Sequence, residues 1–423
     1  MIQREILQKI KYWLGKEKIL IIKGARQVGK TYLLKEIKKD LENTGAKVAY
    51  LLADEIDNKP ILKSSANLEL YLKQYFDFPN KFIYLMIDEF QVIEEAGLLL
   101  KNIFDKHKNK IQLIVSGSSA LEINKNSEYL TGRAIHFNVE RINFKEYFDY
   151  LEGINTKRYN LTQFNELKVF FETFKLKLES GISEYLSYGG YPEVLTTQNA
   201  EEKEEVLKSI VKIYIEKDII NQLNVENITG FNNLIKVLAG QIGQLANSNE
   251  LANTANISIN TLKKYLEILV GTYIIDLVTP YFKNIRSEIS KMPKVYVLDT
   301  GIRNYLLRSF NMNLDGQGDV IENFVYNTLL VQYAKEYIHF YRTATGAEID
   351  FVIEDRNNKL TLCEVKYRNK INAPVIMKNF EERYNNVGKK FIITKDLLKM
   401  ENNIYFIPAA LLPFADLKES VNQ

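Results

Sequence analysis

A glycine-framed octet near the N-terminus constrains this chain more than any other feature. Residues 24–31 read Gly24-x-x-x-x-Gly29-Lys30-Thr31. A short apolar run, Ile19 to Ile22, comes before it, and Tyr32 to Lys39 continues with helical spacing. Strand, glycine loop and helix in that order make a P-loop. The residue types follow from the chemistry. Glycines let backbone N–H groups turn inward around phosphate oxygens. Lys30 is expected to carry its charge to the β- and γ-phosphates and Thr31 to offer a hydroxyl to Mg²⁺. The helix N-terminus adds its own preference for an anion. The stretch Gly24, Ala25, Arg26, Gln27, Val28, Gly29, Lys30, Thr31 and Tyr32 is thus the expected ATP-binding segment.

A P-loop of this kind works with carboxylates from a neighbouring strand. The segment Lys81-Phe-Ile-Tyr-Leu-Met-Ile-Asp88-Glu89 reads as a buried strand that ends in two of them, a Walker B pattern. Asp88 is expected to hold Mg²⁺ through water and the P-loop hydroxyl. Glu89 is expected to orient and polarise the attacking water. The competing reading is a strand followed by a solvated acidic turn. The next strand, Lys110 to Val115, runs into Ser116-Gly117-Ser118-Ser119. A polar side chain at that tip can sense the γ-phosphate, with Ser118 the first candidate and Ser116 the second, although serines also commonly end strands. Thr131-Gly132-Arg133 then precedes a further strand, Ala134 to Val139. An arginine there can enter a neighbouring subunit's nucleotide site as an arginine finger, which requires a head-to-tail ring or filament. Its alternative is a local ion pair. The expected catalytic set is Lys30, Glu89, Ser118 and Arg133.

Length and composition bound the rest. A chain of 423 residues suggests about three domains. The net charge is +3, so any nucleic-acid site must be a local patch. One cysteine, Cys363, excludes an intrachain disulfide and a Cys-based zinc site. No run of about 18 apolar residues is present, so no membrane partner is expected. These features fit a cytoplasmic protein.

The motifs Lys-Gly-Ala-Arg-Gln-Val-Gly-Lys-Thr, Ile-Asp-Glu-Phe-Gln, Ser-Gly-Ser-Ser and Thr-Gly-Arg resemble those of the AAA+ ATPases. They are similar to a prokaryotic branch with a C-terminal domain of unknown function of the DUF4143 type. Tyr188-Gly-Gly-Tyr-Pro-Glu193 and Lys294-Val-Tyr-Val-Leu-Asp-Thr-Gly-Ile-Arg-Asn304 resemble that branch beyond its ATPase core. The resemblance implies a parallel sheet between helices, a helical lid that closes over the nucleotide, and a ring, expected to be of hexamer type. A sensor-2 arginine cannot be assigned in the lysine-rich lid segment.

Two later stretches carry further chemistry. Asn249 to Ala255 reads as a short helix, Asn256-Ile-Ser258 as a turn with an N-cap serine, and Ile259 to Val270 as a second helix. Tyr273 to Phe282 and Lys294 to Leu298 read as strands around a basic turn. Helix, turn, helix and hairpin make a winged-helix pattern, whose second helix enters a DNA major groove. Lys263, Lys264, Lys283 and Arg286 are the expected phosphate contacts. Winged helices also serve as protein-interaction modules. Further on, Glu322 lies in a helix opening at Asp319, Asp350 on a strand, and Glu364 and Lys366 on the next strand, with Val365 expected to be buried behind them. Glu322, Asp350 and Glu364 are expected to converge on a second divalent metal, with Lys366 beside it. This set resembles the PD-(D/E)XK nuclease fold, which implies metal-assisted phosphodiester cleavage.

The expected fold class is α/β. A P-loop AAA+ core spans residues 1–150, a helical lid 151–243, a winged helix 244–300 and a nuclease-like α/β domain 301–423. The expected function is ATP hydrolysis with Mg²⁺ by a ring acting on DNA, including branched or junction DNA. The alternatives are a nucleotide-switched regulatory or defence ATPase and an ATP-gated endonuclease.

Overall fold

A computed structural model describes residues 2–118, 128–219, 225–282, 291–310, 313–368 and 371–418. The chain divides into two compact units. One comprises residues 3–142 with 271–273, and the other takes the remainder.

The first unit is built on a five-stranded sheet. Its strands are β1 (Ile19–Lys23), β2 (Lys47–Leu52), β3 (Ile83–Asp88), β4 (Ile111–Gly117) and β5 (Ala134–Asn138). They lie in the order β2-β3-β4-β1-β5, and every pair is parallel. Parallel strands covered by helices on both faces need near-continuous apolar runs. The sequence supplies them: β1, β3 and β4 are buried almost end to end. Helices Lys30–Asn43, Ser65–Phe76 and Ala96–His107 form part of the cover. Leu68, Leu72, Leu100 and Ile103 pack from two of them against Ile83, Leu85, Leu113 and Val115. This order, with the glycine loop at the C-terminal end of a strand having neighbours on both sides, is a P-loop AAA+ core. The leading helix is only Ile6–Lys11, shorter than the run Ile2 to Gly15 suggests by its spacing. Beyond it the chain turns, with Gly15 at φ 76°, and Lys16 lies over the Tyr12 ring.

The second unit holds the other helices and a mixed sheet. Helix Phe164–Tyr188 ends at Gly189, and helices Ala200–Val211 and Ile228–Gly240 follow. Helix Ser248–Ala255 turns at Asn256 into helix Ile259–Gly271, whose first turn is capped by Ser258 Oγ accepting from Thr261 N (3.1 Å). Strands β6 (Ile275–Val278) and β7 (Lys294–Val297) pair antiparallel. The C-terminal sheet comprises β8 (Ile338–Arg342), β9 (Glu348–Glu354), β10 (Leu360–Val365), β11 (Val387–Thr394), β12 (Lys399–Glu401) and β13 (Ile404–Pro408). Its order is β12-β13-β11-β10-β9-β8. Ile349, Val352, Leu362 and Ile392 on one face pack against Met377 and Phe380 of helix Val375–Arg383.

The two motifs beyond the ATPase core meet within this unit. Asp299 accepts hydrogen bonds from Gly190 N (2.8 Å) and Ile302 N (2.9 Å). Asn304 Nδ2 donates to the carbonyls of Leu186 and Ser187, both at 2.9 Å. Buried polar groups of this kind are costly unless paired. The conspicuous polar residues of these motifs therefore lock the end of one helix to the start of another. No helix among the described residues is long and apolar enough to cross a membrane.

Candidate nucleotide site and a carboxylate cluster

The glycine loop leaves β1 and enters helix Lys30–Asn43 through Gly29, whose φ of 95° is readily adopted only by glycine. A Cβ on Gly24 would run into the Val139 carbonyl, so the loop passes too close to the neighbouring strand for any side chain. Arg4 braces the loop from outside it, donating to Val28 O (2.9 Å) and Glu140 O (2.6 Å). Lys30 is 4% exposed and points back into the loop, where Nζ donates to Ala25 O (2.7 Å) and Gly24 O (3.1 Å). Burial lowers its pKa to about 8, against the opposing pull of Glu89 and Asp88. Tyr32 donates to Glu36 (2.8 Å) on its own helix.

Asp88 ends β3 and is fully buried. A hydroxyl reaches it from each flanking strand, Tyr50 from β2 (3.0 Å) and Ser116 from β4. Among the described residues its hydrogen bonds come from neutral donors, the third being Glu89 N (3.1 Å). A cation bound there would meet an oxygen donor already held in place by these hydrogen bonds. Glu89 follows with φ 55°, an uncommon left-handed turn that swings its side chain off the strand line. Its Oε2 accepts from Ser118 Oγ (3.2 Å) and from Gln91 Nε2, and Gln91 Nε2 also reaches Ser118 Oγ (3.1 Å). Lys30, Asp88, Glu89 and Ser118 thus gather at the C-terminal end of one sheet. Ser116 belongs to Asp88, and Ser118 belongs to Glu89.

Arg133 lies elsewhere. It immediately precedes β5, and Ile19 N donates to its carbonyl (2.9 Å), so it marks the opposite end of the sheet from the loop. At 3.3 Å per residue along β1, that is roughly 15 Å from its own P-loop. Its guanidinium makes a two-pronged pair with Asp105 of the same chain (2.7 and 2.9 Å).

A second charged cluster lies in the other unit. Lys294, only 2% exposed, begins β7. Its ammonium bonds Glu322 (2.9 Å) of helix Gly318–Gln332 and also Glu348 of β9. Tyr296 OH donates to Glu322 as well (2.7 Å). Asp350 accepts from Val365 N (2.7 Å), and its own N–H donates to Glu364 (3.3 Å). Lys366 pairs with Glu364. Burial and the Asp350 charge push Glu322 up to about 7. Burial and the Glu364 charge push Asp350 up to about 7. Burial alone would lower Lys294, but Glu322, Asp350 and Glu348 overrule it and hold it above the ordinary lysine range.

The expected second metal centre stands in the structure as this cluster of carboxylates and lysines. Among the described residues no three His, Cys, Asp or Glu side chains are placed to hold a metal ion. Glu322 bonds Lys294 while lying close enough to Asp350 and Glu364 for the three carboxylates to act on one another's charge. Val365 is half-buried while Glu364 is buried, the reverse of the simple alternation. Of the expected DNA contacts, Lys263 and Lys264 are exposed on helix Ile259–Gly271. Lys283 and Arg286 lie outside the described residues. Tyr50, Gln91, Arg4 and Lys294 were not singled out from sequence. The Gln91 position was nonetheless visible in the motif Ile-Asp-Glu-Phe-Gln.

The AAA domain family model matches residues 16–148, the stretch that carries the loop and both carboxylates. That stretch is an AAA domain. The C-terminal part of the chain is a DUF4143 domain over residues 317–412, and a second domain of unknown function, DUF8612, matches 179–313. The chain is 26% identical to an uncharacterized protein of Methanocaldococcus jannaschii, covering 93% of this chain and 84% of that one. It is 24% identical to an uncharacterized protein of Haemophilus influenzae, covering 78% and 79%. Among solved structures it overlaps the Aeropyrum pernix ORC2 protein (TM-score 0.38, 13% identity, 77% of this chain and 93% of that one). It also overlaps the replication initiator DnaA bound to AMPPCP and single-stranded DNA (TM-score 0.33, 16% identity, 64% and 88%).

Proposed function

We propose that this AAA-domain protein hydrolyses ATP with Mg²⁺, between subunits of a ring, and acts on DNA. The observation that carries the reading is the convergence of Lys30, Asp88, Glu89 and Ser118 at one end of a parallel sheet. Lys30 is held by two backbone carbonyls, which are weak partners for an ammonium. Phosphate oxygens compete for it favourably, because they bring a negative charge that the carbonyl dipoles lack. The Thr31 hydroxyl and the Asp88 carboxylate are hard oxygen donors suited to Mg²⁺. The ion, when bound, neutralises phosphate charge. Tyr50 and Ser116 fix the Asp88 carboxylate. Glu89 takes the proton from the attacking water, and Ser118 keeps it aligned and faces the γ-phosphate.

Arg133, at the opposite end of the sheet from its own loop, serves the neighbouring subunit, opening its pair with Asp105 to do so. An Arg133→Ala variant should keep nucleotide binding and lose about 10³-fold or more in turnover. Full turnover in that variant would end the finger assignment. The helix Ile259–Gly271 with exposed Lys263 and Lys264, beside the β6–β7 pair, supports a winged helix that grips DNA. Turnover measured without DNA, and with duplex, single strand or a four-way junction, tests that part. Stimulation by one form supports it. Equal rates, with no DNA retained on a gel, move the reading to a nucleotide-switched regulator.

For the C-terminal domain, the seat of Lys294 favours a domain that binds without cutting. Its ammonium already neutralises the carboxylate that the helix brings to the cluster.

A further inference from the structure

We propose that Gln91 is a positioning residue for the hydrolytic water, a third group beside Glu89 and Ser118. This rests on the ATPase reading above. Gln91 lies in the short turn Phe90–Val92 that follows β3. Its Nε2 spans Glu89 Oε2 and Ser118 Oγ. Its Oε1 is buried and, among the described residues, has no hydrogen-bond partner. Exchanging the amide ends gives no escape: an oxygen would then face the Glu89 carboxylate, which has no proton to offer. The network therefore fixes which end points where.

A buried acceptor without a donor is costly. Such groups are rare in folded chains, and each calls for a reason. Here the reason lies in its neighbours. The amide is anchored by the residue that takes the water's proton and by the one that faces the γ-phosphate, so its spare acceptor is carried by a side chain that touches both groups flanking the attacking water. A water molecule has two O–H groups. Glu89 accepts one proton, and Gln91 Oε1 accepts a hydrogen bond from the other O–H. With both O–H directions fixed, a lone pair of the water oxygen is left facing phosphorus. In the step itself, the water oxygen bonds to the γ-phosphorus and the bond to the β,γ-bridging oxygen breaks. That oxygen leaves with the electron pair as part of ADP, and the water's proton passes to Glu89. Inorganic phosphate is the other product. Gln91 exchanges no proton in the step, and its contribution is orientation.

The test uses the full chain and Mg-ATP. Gln91→Met keeps the length of the side chain and removes both polar atoms. The expected result is a kcat reduced roughly 10- to 100-fold, the scale of a misoriented attack, with KM and fluorescent-nucleotide affinity within about 3-fold and an unchanged melting temperature. Gln91→Asn keeps the amide but draws it back by one methylene, and the same loss of kcat is expected. It also stands in if the Met variant fails to fold. A wild-type chain that hydrolyses ATP while either folded variant keeps its kcat within about 2-fold overturns this inference alone. So does a parallel loss of kcat, affinity and melting temperature, which marks Gln91 as scaffold. A wild-type chain that binds ATP without turning it over overturns the reading of the site, and this inference with it.

Discussion

Each unit of this chain buries a lysine beside strand-end carboxylates, and the two lysines are held in opposite ways. Lys30 rests on the carbonyls of Gly24 and Ala25, and burial lowers its pKa to about 8. Lys294 is bonded to Glu322 and Glu348, and their charges hold its pKa above the ordinary range. Burial removes water from both, so the partners decide the outcome. Peptide dipoles leave an ammonium incompletely neutralised and ready for an anionic ligand. Two carboxylates satisfy it, and a ligand would have to break buried ion pairs to reach it. One site is built to release its lysine, and the other to retain it.

Substitutions sharpen that contrast. The largest effect is expected at the releasing site. Glu89→Gln should bind Mg-ATP normally and lose about 10²- to 10⁴-fold in kcat. Unchanged kcat in steady-state assays would remove Glu89 from the reaction. At the retaining site the effect should fall on stability. Lys294→Met leaves Glu322 without its buried counter-charge and Glu348 with Arg342 alone, and breaking such a buried pair costs about 3–5 kcal/mol. Chemical denaturation reads this directly. A cost below about 1 kcal/mol would mean that the lysine is not locked.

The smallest effect is spectroscopic. In protein carrying ¹³C-lysine, the Lys30 ε-carbon should titrate near pH 8, and that of Lys294 should stay protonated beyond the ordinary 10.5. Arg variants at each position would assign the signals. The linked stabilities have opposite signs. Between about pH 8 and 10.5 the unfolded chain holds a proton that folded Lys30 has lost, so this contribution to stability rises with pH. Lys294 contributes stability that is fully present below 10.5 and is lost as pH rises through its higher folded value. Coincident titration of the two lysines would erase the contrast.

The two sites also differ in how much of them can be read from sequence. The loop from Gly24 to Thr31 and the pair Asp88-Glu89 are contiguous motifs, and the strand order places them at one sheet end. Tyr50 and Ser116 reach Asp88 from flanking strands, and nothing in their own segments marks them for that contact. Gln91 stands in a recognisable motif, but its bridge to Ser118 depends on the left-handed turn at Glu89. The carboxylate cluster is legible as two strand positions and one helix position. The lysine that pairs with its helical carboxylate, Lys294, comes from a strand outside the DUF4143 segment. Local spacing carries no trace of a partner that distant. Asp299 and Asn304 show the same limit, since a conspicuous motif need not be a chemical one.

The most direct test is ATP binding and turnover by the wild-type chain and Lys30→Ala, side by side, at saturating Mg-ATP. The account predicts turnover in the wild type and loss of both binding and turnover in the variant. Normal ATP affinity in Lys30→Ala, or a wild-type chain that neither binds nor hydrolyses ATP, would contradict it.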